Sequence, residues 1–119
     1  MDTILFHQGE YRSTSFLVDD NGANRVLDFL MKLSRNKPND YRRIRKWMQR
    51  ICVIQRPGKE HFNNEGDGVY AIKAYQIRVY GFFDADRFIM CRAVEKKRNK
   101  ADPTTIRLVK DDRAAYLEG

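Results

Sequence analysis

Between residues 69 and 98 apolar and polar side chains alternate, which is the period-two signature of half-buried strands. Val69, Ala71 and Lys73 fall on one face of the first predicted strand, and Tyr70, Ile72 and Ala74 on the other. In the second strand Ile77 and Val79 oppose Arg78 and Tyr80. In the third, Phe88, Met90, Arg92 and Val94 oppose Ile89, Cys91, Ala93 and Glu95. Asp84-Ala85-Asp86 supplies turn chemistry between the last two strands. The pattern predicts three consecutive antiparallel strands. A strand keeps its charges on the solvated side, so Lys73, Arg78 and Arg92 are expected to line one open face of the sheet.

Upstream, residues 4–18 alternate loosely, and Gln8-Gly9-Glu10 offers a turn, so a hairpin between 3–7 and 11–19 is expected. Asp20-Asn21-Gly22 then breaks the chain and provides a helix N-cap. A first helix over 23–34 follows from the spacing of Ala23, Val26, Leu27, Leu30 and Leu33. A second runs from 38 or 39 to 54, with Tyr41, Ile44, Trp47, Met48 and Ile51 inward and Arg42, Arg43, Lys46 and Arg50 outward. So short a connector predicts an antiparallel helical hairpin. Residues 55–68 read as a loop. Asp102-Pro103 pairs an N-cap with proline at the first helical position. The last helix should therefore dock on the sheet through Ile106, Val109, Arg113, Tyr116 and Leu117. The result is one α+β domain over residues 1–119.

Composition adds a partner class. The chain of 119 residues is 42% hydrophobic and 33% charged, with a formal charge of +7. Residues 1–34 hold three cations and five anions, whereas 35–60 hold nine and two, and 87–113 nine and four. Two separate basic segments point to one basic surface and a polyanionic partner, nucleic acid or an acidic protein; general solubility is the simpler alternative. No apolar run is long enough for a membrane span, and residues 1–11 lack the layout of a signal peptide, so a cytoplasmic protein with no membrane partner is expected. Cys52 and Cys91 have no metal or redox spacing and read as reduced core residues.

The order hairpin, two helices, three antiparallel strands and terminal helix resembles the RelE/ParE superfamily of bacterial toxins, in its phage-derived HigB-like branch. The residues that carry the likeness are Gly68-Val69-Tyr70-Ala71-Ile72-Lys73, then the stretch from Gln76 through Arg78 and Tyr80 to Asp84, then Val94-Glu95-Lys96-Lys97. The resemblance covers roughly residues 20–117. It implies the toxin of a type II toxin–antitoxin pair, neutralised by a cognate antitoxin protein. RelE- and HigB-like members cut mRNA on the ribosome without a cofactor, and ParE-like members poison DNA gyrase. Carried over by position, Lys73 and Arg78 take the places of strand arginines, and Lys96, Lys97 and Arg98 the basic end of the last strand. Tyr116 or His61 would be the group near the scissile phosphate. The sequence departs from the branch at Ala71-Ile72-Lys73 and has neither His nor Tyr near the end of its last strand.

Cleavage by a 2′-OH needs a base, cations for the pentavalent phosphorane and an acid for the 5′ oxygen. No acidic or His/Cys set has metal spacing, consistent with a metal-independent route. Arg78 and Lys73 are candidate phosphate clamps; the alternative is a solvated sheet face or pairing with Glu95 across strands. Lys96, Lys97 and Arg98 read as a nucleic-acid anchor or a solvated strand end, and His61 as an acid–base group or an exposed loop histidine. Arg42, Arg43, Lys46, Arg50 and Arg92 are candidate nucleic-acid contacts. Tyr80 and Phe82 are either core residues or stacking platforms. Two function classes remain: an endoribonuclease toxin, and a non-enzymatic binder such as a gyrase poison or a phage-derived regulator.

Overall fold

A computed structural model describes residues 1–97 and 102–119. Arg98, assigned to the basic strand end, lies outside the described residues. The elements run β1 (Asp2–Gln8), β2 (Ser13–Val18), α1 (Arg25–Asn36), α2 (Pro38–Val53), β3 (Phe62–Gly66), β4 (Val69–Ala74), β5 (Ile77–Asp84), β6 (Arg87–Glu95) and α3 (Pro103–Glu118).

The sheet has six strands in the order β1-β2-β6-β5-β4-β3, not three. Two additions account for the difference. The N-terminal hairpin joins the meander because β2 pairs parallel with β6, from Ser13 opposite Arg87 to Phe16 opposite Met90. At the other edge, part of the expected loop becomes β3 by pairing antiparallel with β4. Its sequence, Phe-Asn-Asn-Glu-Gly, shows no alternation; the β4 edge supplies the ladder, and Phe62 packs on Tyr70, Phe83 and Phe88.

The helical hairpin forms as expected, with shifted ends. Asn24, rather than Asp20-Asn21-Gly22, caps α1, its side chain accepting from the Leu27 amide at 3.1 Å. Pro38 opens α2 at a position where its missing N–H costs nothing. At the far end of α2, Arg12 from the β1–β2 turn donates to the carbonyls of Ile51, Ile54 and Gln55, satisfying carbonyls that the helix leaves unpaired. Val26, Leu30 and Leu33 of α1 and Ile44, Met48 and Ile51 of α2 are buried against Phe16, Ile72, Ile77, Val79, Phe88 and Met90. Leu27 stays substantially exposed at 40%, so the inner stripe of α1 is narrower than its periodicity implies.

The opposite sheet face is not open. α3 covers it, packing Val109, Ile106 and Tyr116 on Val69, Ala71, Tyr80, Phe82, Ile89 and Cys91. The predicted cap holds: Asp102 accepts from the Thr105 amide at 3.2 Å and from its hydroxyl at 2.6 Å. Leu117, expected inward, is 71% exposed. Polar contacts fix the helix further. Lys110 pairs with Asp67 at 2.7 Å, and Arg113 donates to the Asp67 carbonyl at 2.7 Å.

The third meander strand departs from simple alternation. Tyr80 pairs with Arg92 while the next residue, Gly81, pairs with Met90, so Cys91 has no partner on β5. This β-bulge shifts the phase. Phe88 and Met90 face α1 and α2, but Cys91, Arg92 and Val94 all belong to the α3 side, and Ala93 returns to the helical-hairpin side.

Candidate nucleic-acid interface

Antiparallel pairing brings the β4–β5 turn and the end of β6 to the same end of the sheet. Ile77 pairs with Glu95, and the Lys96 amide donates to the Gln76 carbonyl at 2.7 Å. Lys73 and Arg78 are direct cross-strand partners at this end, on the α3 side. Both are half-buried, and Lys97 is exposed. Arg78 turns its guanidinium to the β4–β5 turn, donating to the carbonyls of Tyr75 and, at 3.0 Å, Ile77. Glu95 bonds Lys37 from the α1–α2 connector, and this bond pushes the Lys37 ammonium pKa up. Four predicted cations, Lys73, Arg78, Lys96 and Lys97, thus collect around one turn.

Beside that turn, on the α2 side, lies a cleft of about 370 Å³ lined by Arg43, Lys46, Trp47, His61, Ala74 and Tyr75. Helical spacing places Arg43, Lys46, Trp47 and Arg50 along one flank of α2. The cations of this row are exposed, as expected, but Trp47 sits at the rim of the core rather than wholly within it. Its indole stacks on the His61 imidazole with centroids 3.5 Å apart and planes 9° apart. The Arg50 guanidinium lies 5.0 Å from the Trp47 ring centroid.

His61 is fixed by the neighbouring strand. Its carbonyl accepts from the Lys73 amide at 2.8 Å, and its Nδ1 lies 3.1 Å from the Lys73 carbonyl. A carbonyl can only accept, so Nδ1 carries the proton and Nε2 of the neutral ring is left as an acceptor. The expected polar loop is therefore a braced segment entering β3.

Tyr75 was not a predicted site residue. It occupies the β4–β5 turn at φ +53°, in the left-handed region that favours glycine. Asp67 and Ala85 hold similar angles in the other two meander turns, so turn geometry alone sets the backbone. What is particular here is a bulky ring at such a position, at a cost on the order of 1–2 kcal/mol. That ring is 65% exposed, and the Arg43 guanidinium sits 3.9 Å from its centroid. A single large aromatic between Ala74 and Gln76, where Asn or Gly is usual, is the sequence signal that points to it.

Other predicted residues stand apart. Arg92 is bound to Asp112 on α3 through Nε to Oδ2 at 2.8 Å and Nη2 to Oδ1 at 3.0 Å. Arg42 donates to Asn39. Tyr116 lies at the opposite end of the sheet, where it and Arg87 both donate to Asp84 Oδ2, each at 2.6 Å. Those two bonds, Tyr116 foremost, hold the Asp84 carboxyl below its usual range. Tyr80 and Phe82 are core residues, each 1% exposed, and offer no stacking surface. Cys52 and Cys91 are buried free thiols, and burial pushes both pKa values up.

Among the described residues no three His, Cys, Asp or Glu side chains gather as a metal site, and no helix is long and apolar enough to cross a membrane. Compared with known proteins, the chain matches no family model and no curated sequence.

Proposed function

We propose that the chain is an RNA-directed toxin of the RelE/ParE kind, a metal-independent endoribonuclease that cuts mRNA on the ribosome in the cytoplasm and is held in check by an antitoxin protein. One observation carries the reading. His61, with Nδ1 committed to the Lys73 carbonyl and Nε2 of its neutral ring left to accept, lines a cleft together with the cations Arg43 and Lys46. That combination serves 2′-OH chemistry. Nε2 takes the proton as the 2′ oxygen bonds to phosphorus, the cations stabilise the phosphorane, and Lys46 gives a proton to the departing 5′ oxygen. The products are a 2′,3′-cyclic phosphate and a 5′-hydroxyl. Lys73, Arg78, Lys96 and Lys97 extend the cationic surface around the adjacent turn and position the phosphate backbone. The hairpin, the two helices, β4 to β6 and α3 follow one another in the order on which the resemblance rests, with β3 as an addition to it.

The sheet separates Lys73 and Arg78 on the α3 side from His61 and Arg43 on the α2 side. That division favours, as a second reading, a binder without catalysis: a gyrase poison or a phage-derived regulator. Induction in cells followed by primer extension on a translated mRNA separates the two. Cuts that disappear in His61→Ala and Arg78→Ala support the nuclease. Intact mRNA together with gyrase–DNA cleavage complexes rejects it.

A further inference from the structure

We propose that the cleft between Tyr75 and the Trp47–His61 stack is a subsite for one unpaired nucleobase of a single RNA strand. This rests on the nucleic-acid reading above and names what enters the cleft. The cleft volume, about 370 Å³, lies at the small end of the range of roughly 300–1,000 Å³ for small-molecule sites. It suits one nucleotide unit and not a duplex. Its lining offers planar groups: Tyr75 with the Arg43 guanidinium 3.9 Å from its ring centroid, and the His61 imidazole stacked on Trp47 at 3.5 Å. Bases stack on such surfaces whatever their sequence, because every base has a π face.

Charge selects in the same direction. The six lining residues include Arg43 and Lys46 and no carboxylate, so a phosphate attached to the bound base meets cations only. With Nδ1 committed to the Lys73 carbonyl, His61 keeps Nε2 as an acceptor for the donors that a nucleotide carries, a ribose hydroxyl or a base N–H. Tyr75 lines the cleft and leaves 65% of its surface open, so its ring is available to an incoming base. A base inside a duplex is already stacked and paired, so the subsite takes an unpaired one.

Trp47 is the only tryptophan in the chain, so its emission reports on the ring it stacks with. The probe is a 2′-O-methyl hexanucleotide, which cannot be cut by 2′-OH attack, titrated into the full chain. The expected result is saturable quenching whose affinity falls about tenfold when the bases are replaced by abasic sites, and about tenfold when the base-bearing strand is titrated into Tyr75→Asn instead of the wild type. Asn tolerates the left-handed region, so this variant keeps the fold while losing the ring. Tyr75→Phe keeps the ring and should bind as the wild type does. Equal affinity in Tyr75→Asn, or for the abasic strand, overturns the subsite. Quenching by adenosine monophosphate with the affinity of the hexanucleotide assigns the cleft to a free nucleotide and overturns the strand proposal. Because this probe cannot be cleaved, a chain that binds it as described yet cuts no mRNA keeps the subsite and loses the nuclease reading.

Discussion

Arg92 on β6 holds Asp112 on α3 through two parallel bonds, with side chains only 20% and 8% exposed. The bulge at Cys91 makes the pair possible, since it turns Arg92 toward α3. Truncation in Arg92→Ala leaves Asp112 without its charge partner, and the expected loss is about 2–3 kcal/mol, less than for a fully buried pair because Arg92 keeps some water contact. Urea unfolding measures it. An Arg92→Met, Asp112→Leu double variant should recover most of the loss, whereas an unrecovered double variant would show that the bonds act through something other than mutual charge compensation.

Tyr80 presents a different buried polar group. Its hydroxyl has no hydrogen-bond partner among the described residues, and burial, with the Glu65 charge second, pushes its pKa up to about 12. Removing the hydroxyl in Tyr80→Phe should leave stability unchanged or raise it by about 1 kcal/mol. The pH dependence has a definite sign. A phenol whose folded pKa is raised contributes stability below its unfolded value near 10 and loses it as pH rises toward about 12. The wild type should therefore lose stability across that window more steeply than Tyr80→Phe in parallel denaturant melts.

Gly81 sits against the bulge on the facing strand. A Cβ there would lie 2.1 Å from the Ile89 carbonyl oxygen, a backbone atom held in the ladder. Gly81→Ala is expected to destabilise by about 3 kcal/mol or more, through displacement of β6 rather than through loss of any contact. Thermal melting of the purified variant checks this, and a Tm within 2 °C of wild type, about the shift for a small surface change, would contradict it.

The basic surface makes a prediction independent of catalysis. If Arg43 and Lys46 each neutralise a phosphate, Arg43→Ala and Lys46→Ala should each flatten the plot of log affinity against log salt for single-stranded RNA by about 0.7. Arg42→Ala, whose guanidinium is turned to Asn39, should change the slope least.

Much of the local structure was legible in the residues themselves. The alternation of β4 and β5, the apolar spacing of α1 and α2, and the Asp102-Pro103 start of α3 are encoded within a few positions, so they survive without knowledge of the partner. β3 was not legible, because its pairing is supplied by the β4 edge and not by its own pattern. The face of Arg92 was not legible either. A bulge depends on the register between two strands, and inserting one unpaired residue inverts everything after it.

The same distinction divides the candidate site. The sequence by itself determined that the chain is basic in two segments, and which cations stand in the meander. Only the tertiary structure decided that Arg92 is bound within the fold, that Lys73 and Arg78 gather with Lys96 at the β4–β5 turn, and that Trp47, at the rim of the core, stacks on His61. Side-chain type is a local property, whereas a cleft is a relation among segments. Trp47, His61 and Tyr75 come from a helix, a strand entry and a turn, and they share no period along the chain; they meet because α2 packs on the sheet against β4.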